Sequence, residues 1–327
     1  MKILFVSSGN DASEISNLAL SQANSLVGQN VNVELYYIKG KGIIGYLKNI
    51  LPLHKQIKNK HYNIIHAHYG LSGWIALIAK NKRTKLVISF MGNDILGDHA
   101  NKGSSTSYGN LLVALNLHFA KYADYIVVKS NEMSQKIKIA NKSIIPNGVN
   151  LSIFCSLDRN VALKKVGWNP ALRHVLFMSN PDRPEKNFSL TNTALKLTEI
   201  ESIQLHFLNQ IPQNELVYYY NAAEVCILTS YHEGSPNVIK EAMACNRPIV
   251  CTDVGDVSWQ MGNTKGCYIC SFDPMDIATK VRFALEFSQT KICTKGRDRI
   301  IELGLDSETI AGKIIEVYNK VLKIEKN

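Results

Sequence analysis

The stretch from Ser230 to Pro248 reads SYHEGSPNVIKEAMACNRP, and it follows a short apolar run from Val225 to Thr229. Such a run predicts a buried strand. The Gly-Ser-Pro sequence predicts a turn, with Ser235 as the helix N-cap and Pro236 at the first helical position. A strand, a turn and a helix N-terminus in this order leave free N–H groups and a helix dipole that favour an anion. The stretch therefore predicts an α/β fold with a binding site at the end of a strand.

Two carboxylates belong to this predicted site. Glu233 lies in the turn, and Glu241 lies about one turn into the helix, on the same face as Asn237 four residues earlier. Carboxylates would repel a neighbouring phosphate, so they fit neutral hydroxyl groups such as those of a sugar and a ribose. Two isolated glutamates are more typical of solvated positions, but the surrounding turn and helix signals favour a functional pair.

This arrangement resembles the Glu-x7-Glu motif of retaining glycosyltransferases with the GT-B fold, in particular family 4. The spelling Glu-Gly-Ser-Pro-Asn is similar to members that assemble bacterial surface polysaccharides. The resemblance implies that Glu233 contacts hydroxyls of the donor sugar and that Glu241 holds the ribose of the nucleotide. It also implies that the backbone N–H groups of Gly234, Ser235 and Asn237 face the donor.

A second segment strengthens the resemblance. Residues Leu176 to Asn187 read LFMSNPDRPEKN and resemble the family loop that brings an arginine and a lysine to the donor diphosphate. Those residues are here Arg183 and Lys186. The chemistry needs them, because a departing nucleoside diphosphate carries charge that must be stabilised. Taken alone, two loop cations are more typical of a solvated turn.

The first half of the chain matches the family more loosely. Segments His66–Gly70 and Ser89–Asp94 fall where members carry His-rich and His-Gly-x-Asp sequences, but Met91 stands where many members have the histidine. The resemblance implies that Asp94, the fourth predicted catalytic residue beside Arg183, Lys186 and Glu233, orients the acceptor or a backbone loop. It implies that Gly9 approaches the donor phosphate.

Strands alternate with helices in both halves of the chain, which predicts parallel sheets covered by helices on both faces. We expect an α/β, GT-B architecture of two doubly wound, Rossmann-like domains facing across a cleft. The predicted boundaries are residues 1–150 for an acceptor-binding domain, 151–308 for a nucleotide-sugar donor domain and 309–327 for a C-terminal helix. The first helix is predicted from Asp11 and the last one to Lys326.

Length and composition agree with two globular domains. The chain has 327 residues, of which 46% are hydrophobic and 20% charged, and this suits two cores. No apolar run is long enough to span a bilayer, and Met1–Ser8 is typical of a strand rather than a signal peptide. A cytoplasmic location is therefore expected. The seven cysteines are an odd number, and Cys267-x-x-Cys270 is interpreted as structural rather than zinc-binding, because no second pair or histidine accompanies it.

Positive charge is concentrated in the first half. Residues 1–150 hold 17 Lys/Arg and 7 Asp/Glu, against 20 and 20 in residues 151–327, and no acidic residue separates Glu34 from Asp94. This asymmetry indicates an anionic partner for the first half. Residues 39–61 interleave lysines with large apolar residues, which is typical of a surface for anionic lipid at the inner face of the plasma membrane. A soluble helix pair with a lysine-rich face explains the stretch equally well.

Other classes of function receive little support. Gly40 to Gly45 matches Gly-x-Gly-x-x-Gly, but it follows the second strand and no acidic residue stands about twenty positions later, as the dinucleotide signature requires. No P-loop and no Asp-x-Asp pair occurs, so no metal cofactor is expected. Charge alone would permit nucleic acid, but no nucleic-acid motif accompanies it, and we expect none as a partner.

The sequence thus predicts a retaining, metal-independent glycosyltransferase that uses a UDP-sugar or GDP-sugar. Its acceptor is expected to be a saccharide, with a lipid-linked saccharide as the first candidate. Two alternatives remain open, namely a GT-B nucleotide-sugar epimerase and a non-catalytic protein that binds nucleotide sugars or a membrane surface. The complete set of donor residues argues against the second alternative, while Met91 is the feature in its favour.

Overall fold

The computed structural model describes residues 1–9, 14–97, 99–101, 104–105, 107–290 and 292–323. The side chains of residues 14–16, 99–101, 104–105 and 107–108 are not part of that description. The predicted start of the first helix at Asp11 and the predicted end of the last helix at Lys326 lie outside the described residues.

Strands and helices alternate along the chain. The strands are β1 (Lys2–Ser8), β2 (Asn32–Ile38), β3 (Ile64–His68), β4 (Lys85–Ser89), β5 (His99–Asn101), β6 (Ser104–Ser105), β7 (Tyr125–Val128), β8 (Lys142–Ile144), β9 (Arg173–Phe177), β10 (Ile203–Phe207), β11 (Val225–Leu228), β12 (Ile249–Thr252) and β13 (Cys267–Cys270). The helices are α1 (Glu14–Gly28), α2 (Gly42–Leu47), α3 (Ile50–Lys60), α4 (Gly70–Ala79), α5 (Asn93–Leu96), α6 (Ser107–Ala120), α7 (Asn131–Lys136), α8 (Arg159–Val166), α9 (Phe188–Lys196), α10 (Gln213–Ala222), α11 (Asn237–Ala244), α12 (Val257–Met261), α13 (Pro274–Ser288), α14 (Gly296–Glu302) and α15 (Ser307–Lys323). A 3-10 turn spans Pro184–Lys186.

The chain divides into two compact units. The first combines Met1–Asp98, Ser105–Gly148 and Ser307–Asn327, and the second combines His99–Ser104 and Val149–Asp306. The C-terminal helix α15 therefore belongs with the first half of the chain, although it follows the second half in sequence.

The first unit is built on a six-stranded parallel sheet in the order β2-β1-β3-β4-β7-β8. Successive residues of β3 contact different helices, which shows that helices cover both faces of the sheet. Ile65 belongs to the apolar cluster that includes Leu53 and Ile57 of α3, while His66 bonds the hydroxyl of Tyr318 on α15. Because adjacent strand residues point to opposite faces, α3 and α15 lie on opposite sides of the sheet.

The face towards α15 buries polar side chains. His66 is satisfied at both ring nitrogens, by Tyr318 Oη at 2.6 Å and by Ser89 Oγ at 2.7 Å. His68 stacks on His66 with 4.5 Å between ring centroids, and neither of its nitrogens has a hydrogen-bond partner among the described residues. Burial, with a contribution from Lys129, lowers the pKa of His68 to about 3. Burial lowers the pKa of His66 well below its usual value.

The second unit is built on a five-stranded parallel sheet in the order β10-β9-β11-β12-β13. Its strands are four or five residues long, and β11 and β12 are buried throughout. The chain turns to one side from β9 to β10 and to the other from β11 onwards. The strand order therefore reverses between β9 and β11, which is where open parallel sheets bind ligands, beyond the carboxyl ends of the strands.

These observations confirm the predicted α/β class with two doubly wound sheets. The third strand spans Ile64–His68, and all five of its residues, including His66 and His68, are buried. Among the described residues, no helix combines the length and the apolar character needed to cross a membrane. Cys267 and Cys270 are free thiols on β13, three residues apart and hence on opposite faces of the strand.

The Gly-x-Gly-x-x-Gly segment has a packing role. Gly40 has a φ of +105°, and a Cβ added to Gly45 would lie 2.4 Å from the carbonyl carbon of Gly40. The first turn of α2 therefore lies directly against the loop that leaves β2, at a distance that only two glycines permit.

Replacing Gly45 by alanine is expected to lower the free energy of unfolding of the first unit by about 1–3 kcal/mol, because the backbone of Gly40 cannot move away freely. Urea unfolding measures this. The matched control is Gly312→Ala on α15, where nothing lies within 4 Å of an added Cβ, and a gain of about 0.5 kcal/mol is expected there. Equal stability of the Gly45 variant and the wild-type protein would contradict the close contact.

Candidate functional site

Three loops meet at the carboxyl edge of the second sheet. They follow β9, β11 and β12, which are neighbours in the strand order. The first two are joined by hydrogen bonds: the Tyr231 N–H donates to the Glu185 carbonyl at 2.9 Å, and the Thr229 hydroxyl donates to the Asn187 carbonyl at 3.0 Å. The loops therefore form one connected structure at the topological switch point.

Two of the predicted residues form an ion pair in this structure. Lys186 lies in the loop after β9 and donates through Nζ to Glu233 Oε1 in the loop after β11. The Ser230 hydroxyl donates to the same carboxylate oxygen at 2.8 Å. Both charged side chains are largely buried. The positions of the cation and the carboxylate therefore depend on each other.

Arg183 lies on the same loop as Lys186 and is more accessible. Its Nε donates to Glu185 Oε1 at 2.7 Å, and about one third of its side chain is exposed. The two predicted cations thus belong to one short segment that includes the 3-10 turn. A segment of this kind can present two positive charges to one anionic group.

The backbone of the turn after β11 is closely packed against the loop after β12. Gly255 has a φ of +62°, and a Cβ there would lie 2.5 Å from the Gly234 carbonyl oxygen. Helix α11 then begins at Asn237, with Pro236 at the N-cap position. The N-terminal N–H groups of α11 have no intrahelical partner, so this end of the helix can donate to an anion.

The prediction that Ser235 caps α11 is wrong. Pro236 occupies the N-cap, and no side chain supplies a capping hydrogen bond. The Ser235 Oγ instead accepts from Lys240 Nζ at 3.2 Å and from Gln260 Nε2 at 3.1 Å. Its hydroxyl is therefore used inside the protein, which leaves the backbone N–H for a ligand.

Lys240 is a further buried cation of the second unit. It lies on α11, is fully buried, and has its pKa lowered to about 8 by burial, although the charges of Asp256 and Glu241 oppose this. Burial likewise raises the pKa of Asp256, which Lys240 opposes. Gln260 Nε2 donates to Asp256 Oδ1 at 2.5 Å. This polar cluster supports the turn that contains Ser235 through hydrogen bonds to the Ser235 hydroxyl.

Glu241 is held by a tyrosine that lies far away in the sequence. The Tyr220 hydroxyl donates to Glu241 Oε2 at 2.7 Å. Burial, followed by the Glu241 charge, raises the pKa of Tyr220 well above its usual value, so the phenol remains a donor. On the same helix face the Asn237 Oδ1 is buried and has no hydrogen-bond partner among the described residues. It is therefore an acceptor suited to a ligand hydroxyl.

The two remaining predicted residues belong to the first unit. The Asp94 carboxylate is buried and accepts backbone N–H groups from Met91 and Gly92 at 3.0 and 2.9 Å, and from Gly70 at 3.0 Å. Burial raises its pKa to about 6, and these hydrogen bonds oppose the rise. Its contacts are those of a positioning residue that ties the Met91–Gly92 turn to the start of α4. Its predicted catalytic role stays a prediction.

Gly9 lies at the end of β1. Its N–H donates to the Ile38 carbonyl at 2.9 Å, so this group belongs to the sheet. A Cβ at position 9 would lie 2.6 Å from Cβ of Tyr37. The absence of a side chain is therefore required for packing, and the donor contact of Gly9 stays a prediction.

Sequence reasoning missed the residues that hold the predicted ones. Ser230 bonds Glu233, Tyr220 bonds Glu241, and Asp256 with Gln260 surrounds Ser235. Lys240 carried one signal, because it lies among the apolar residues of an otherwise buried helix. Tyr220 and Gln260 carried none. Within the described part of the chain, no three His, Cys, Asp or Glu side chains converge as a metal site.

Comparison with known proteins identifies the family. Residues 14–153 match the model "Glycosyltransferase Family 4", and residues 173–286 match "Glycosyl transferases group 1". A protein of Bacillus subtilis whose name assigns it to teichuronic acid biosynthesis, the glycosyltransferase TuaC, is 24% identical over 233 residues, which is 65% of this chain and 58% of that protein. The chain thus spans less than two thirds of the length of this relative.

Solved structures share the fold over nearly the whole chain. Sucrose-phosphate synthase from Thermosynechococcus elongatus has a TM-score of 0.81 at 17% identity, covering 99% of this chain and 100% of that one. HepE of Anabaena, solved with UDP-glucose, has a TM-score of 0.75 at 16% identity, covering 98% and 100%. These likenesses assign the fold as that of GT-B glycosyltransferases.

Proposed function

We propose that this chain, which belongs to the family 4 and group 1 glycosyltransferases, transfers a hexosyl unit from a nucleoside diphosphate sugar to a hydroxyl group of a saccharide. The observation that carries the proposal is the Lys186–Glu233 pair at the switch point of the second sheet. This pair joins a cation and a carboxylate in adjacent loops, close in sequence to the N-terminus of α11, and the carboxylate is proposed to bind sugar hydroxyls.

Each part of the donor has a matching group in this site. The diphosphate is proposed to lie against Arg183, Lys186 and the N–H groups at the start of α11. The sugar hydroxyls are proposed to reach Glu233, and the ribose hydroxyls Glu241. HepE was solved with UDP-glucose, which makes uridine nucleotides the first to test.

The proposed chemistry is the stabilisation of a leaving group. As the bond between the sugar and the diphosphate breaks, negative charge grows on the phosphate oxygens, and fixed cations and N–H groups stabilise it. The acceptor hydroxyl is proposed to attack on the face from which the diphosphate leaves, to pass its proton to the donor phosphate, and so to retain the anomeric configuration. No protein nucleophile and no metal ion takes part in this scheme.

The deciding experiment is calorimetry of the purified chain with UDP, GDP and ADP, first without metal and then with Mg²⁺. Binding of one diphosphate without metal, lost in Glu241→Ala, is the expected result. Binding that requires Mg²⁺ would contradict the metal-independent scheme, and a folded protein that binds none would overturn the donor site. Incubation with the matching nucleotide sugar, followed by NMR, then separates transfer from epimerisation and reports the anomeric configuration of the product.

Replacing Tyr220 by phenylalanine is expected to weaken binding of that nucleotide about tenfold, because Glu241 loses the charge-assisted hydrogen bond that orients its carboxylate. Calorimetry measures the change. The matched control is Tyr219→Phe on the same helix, which leaves the Tyr220–Glu241 contact in place and should bind normally. Equal affinity in both variants would show that Tyr220 does not position Glu241.

The acceptor is proposed to be a saccharide joined to a lipid carrier. TuaC, to which the chain is similar, carries a name from the biosynthesis of a cell-wall polysaccharide, and the excess of positive charge lies in residues 1–150. Extraction of radiolabelled product into butanol, with membranes as acceptor source, tests this. Label that stays in the aqueous phase would contradict a lipid-linked acceptor.

A further inference from the structure

Helices α2 and α3 follow each other directly on the surface of the first unit. Lys48 and Asn49, which join them, both keep right-handed helical dihedral angles, so the chain continues from one helix into the other without a reversal. The contact between Gly40 and Gly45 holds the start of α2 against the loop that leaves β2. The glycines that match a dinucleotide signature thus fix the position of α2.

Asn49 also holds α2 and α3 in place. Its buried side chain donates through Nδ2 to the carbonyls of Lys39 and Gly45, both at 2.8 Å. Its Oδ1 accepts from the Lys39 N–H and from the Tyr36 hydroxyl, both at 3.2 Å. One amide therefore connects the end of β2 with the end of α2, and side chains on the outer face of the helices have defined positions.

The outer face of α2–α3 is apolar. Ile44 is 73% exposed and Leu51 is 79% exposed, and Ile43 and Leu47 are exposed beside them. The spacing of three and four residues places these side chains on one side of a helix. The opposite side of the two helices is buried and packs against the unit through Tyr46, Asn49, Leu53 and Ile57.

Lysines border this apolar face. Lys48, Lys55 and Lys58 are exposed, and none of them forms an ion pair with another described residue. By contrast Lys60, at the end of α3, pairs with Glu34 at 2.7 Å. No acidic residue occurs in the sequence between Glu34 and Asp94, so the positive charge of the face is not neutralised locally.

We infer that the outer face of α2–α3 docks on an anionic lipid bilayer, with its apolar side chains in the headgroup boundary and its lysines at lipid phosphates. An amphipathic surface with lysines and aliphatic residues on a convex helix suits this position. Protein interfaces are instead enriched in aromatic residues and arginine and depleted in lysine. Nucleic acid would leave the aliphatic residues without a partner. The inference does not depend on the proposed transfer reaction.

The test is flotation of the full chain, without nucleotide, with vesicles of phosphatidylcholine alone and of phosphatidylcholine with phosphatidylglycerol. Wild-type protein is expected to float only with the anionic vesicles. Ile44→Glu/Leu51→Glu is expected to abolish flotation. Lys48→Ala/Lys55→Ala is expected to lower the partition coefficient about 25-fold, at about fivefold for each lysine near such a surface.

The matched control is Val27→Glu/Leu111→Glu, two residues of the same unit that are 54% and 56% exposed. This control should float like the wild-type protein. Flotation of Ile44→Glu/Leu51→Glu at the wild-type level, or absence of wild-type flotation, would overturn the inference. Dissociation of an oligomer by Ile44→Glu/Leu51→Glu in size-exclusion chromatography without vesicles would also overturn the inference, because the outer face would then bind protein. Nucleotide calorimetry on the same preparations separates failure here from failure of the donor site.

Discussion

Removing either cation of the proposed donor site, by Lys186→Met or by Arg183→Ala, is expected to lower turnover of the nucleotide sugar about 100-fold, which is typical for the loss of one contact that stabilises developing charge. The measurement is release of nucleoside diphosphate from the donor identified by calorimetry. Arg183→Ala should keep the wild-type melting temperature to within a few degrees, because this side chain is partly exposed. Lys186→Met should lower it, because the largely buried Glu233 carboxylate loses its partner. Near-normal turnover in either variant would contradict the role of that cation.

The two cations differ in how they are held. Arg183 therefore has a matched control variant, and Lys186 has a companion variant at its ion-pair partner. Glu185→Gln weakens the hydrogen bond that the Arg183 Nε donates to Glu185 Oε1 but keeps the guanidinium, so turnover should stay close to normal. Glu233→Gln keeps the shape of the carboxylate and its contact with Ser230. It removes the charge that holds Lys186, and it is expected to reduce turnover because the proposed contact with the sugar weakens.

The double variant Lys186→Met/Glu233→Gln separates two roles of the lysine. If Lys186 acted only by positioning Glu233, the double variant would be no slower than the slower single variant, because residues that act as a unit are not additive. We expect it to be slower than both, because Lys186 is proposed to contact the diphosphate as well. The double-variant comparison thus tests the charge of Lys186 apart from its contact with Glu233.

The first unit is expected to lose stability as the pH falls below about 6.5. His66 and His68 have lowered pKa values in the folded state, so below the usual histidine pKa the unfolded chain binds protons that the folded chain does not. Because the folded-state pKa of His68 is about 3, this histidine costs about 2 kcal/mol of unfolding free energy at pH 5 relative to pH 7.5. His66 acts in the same direction. Asp94 acts in the opposite direction, because its raised pKa lets the folded state take up a proton first.

The variant His68→Phe isolates one of these protons. Its ring can pack against Phe5, whose centroid lies 4.5 Å from that of His68, and the loss of stability between pH 7.5 and 5.0 should shrink by about 2 kcal/mol. Lys129 and Tyr318, which face the histidines, stay unchanged. Urea unfolding followed by hydrogen exchange of β1 and β3 peptides reports on the first unit alone.

The control for this experiment is Phe5→Leu. It disturbs the same contact and lowers stability, but it removes no titratable group, so its pH dependence should equal that of the wild-type protein. The expectation about His68 fails if Phe5→Leu and His68→Phe show the same change of stability with pH.

Local sequence determined the elements and the class of the fold. The apolar run Val225–Thr229 followed by Gly-Ser-Pro and a helical pattern was sufficient to predict strand β11, its turn and α11, because strand burial, turn chemistry and helix periodicity act over a few residues. The order of such units along the chain was then sufficient to predict two parallel sheets. The local sequence also predicted that Glu233 lies in the turn and Glu241 on the helix, and the structure has them there.

Only the tertiary structure decided which side chains meet. Lys186 and Glu233 are 47 residues apart, and Tyr220 and Glu241 are 21 apart. They come together because β9, β11 and their helices are packed side by side in one parallel sheet. No local pattern records such a contact. The Ser235 hydroxyl is a second example. Local propensity predicts that it caps α11, but it accepts a hydrogen bond from Lys240 instead, because a buried charge needs a partner.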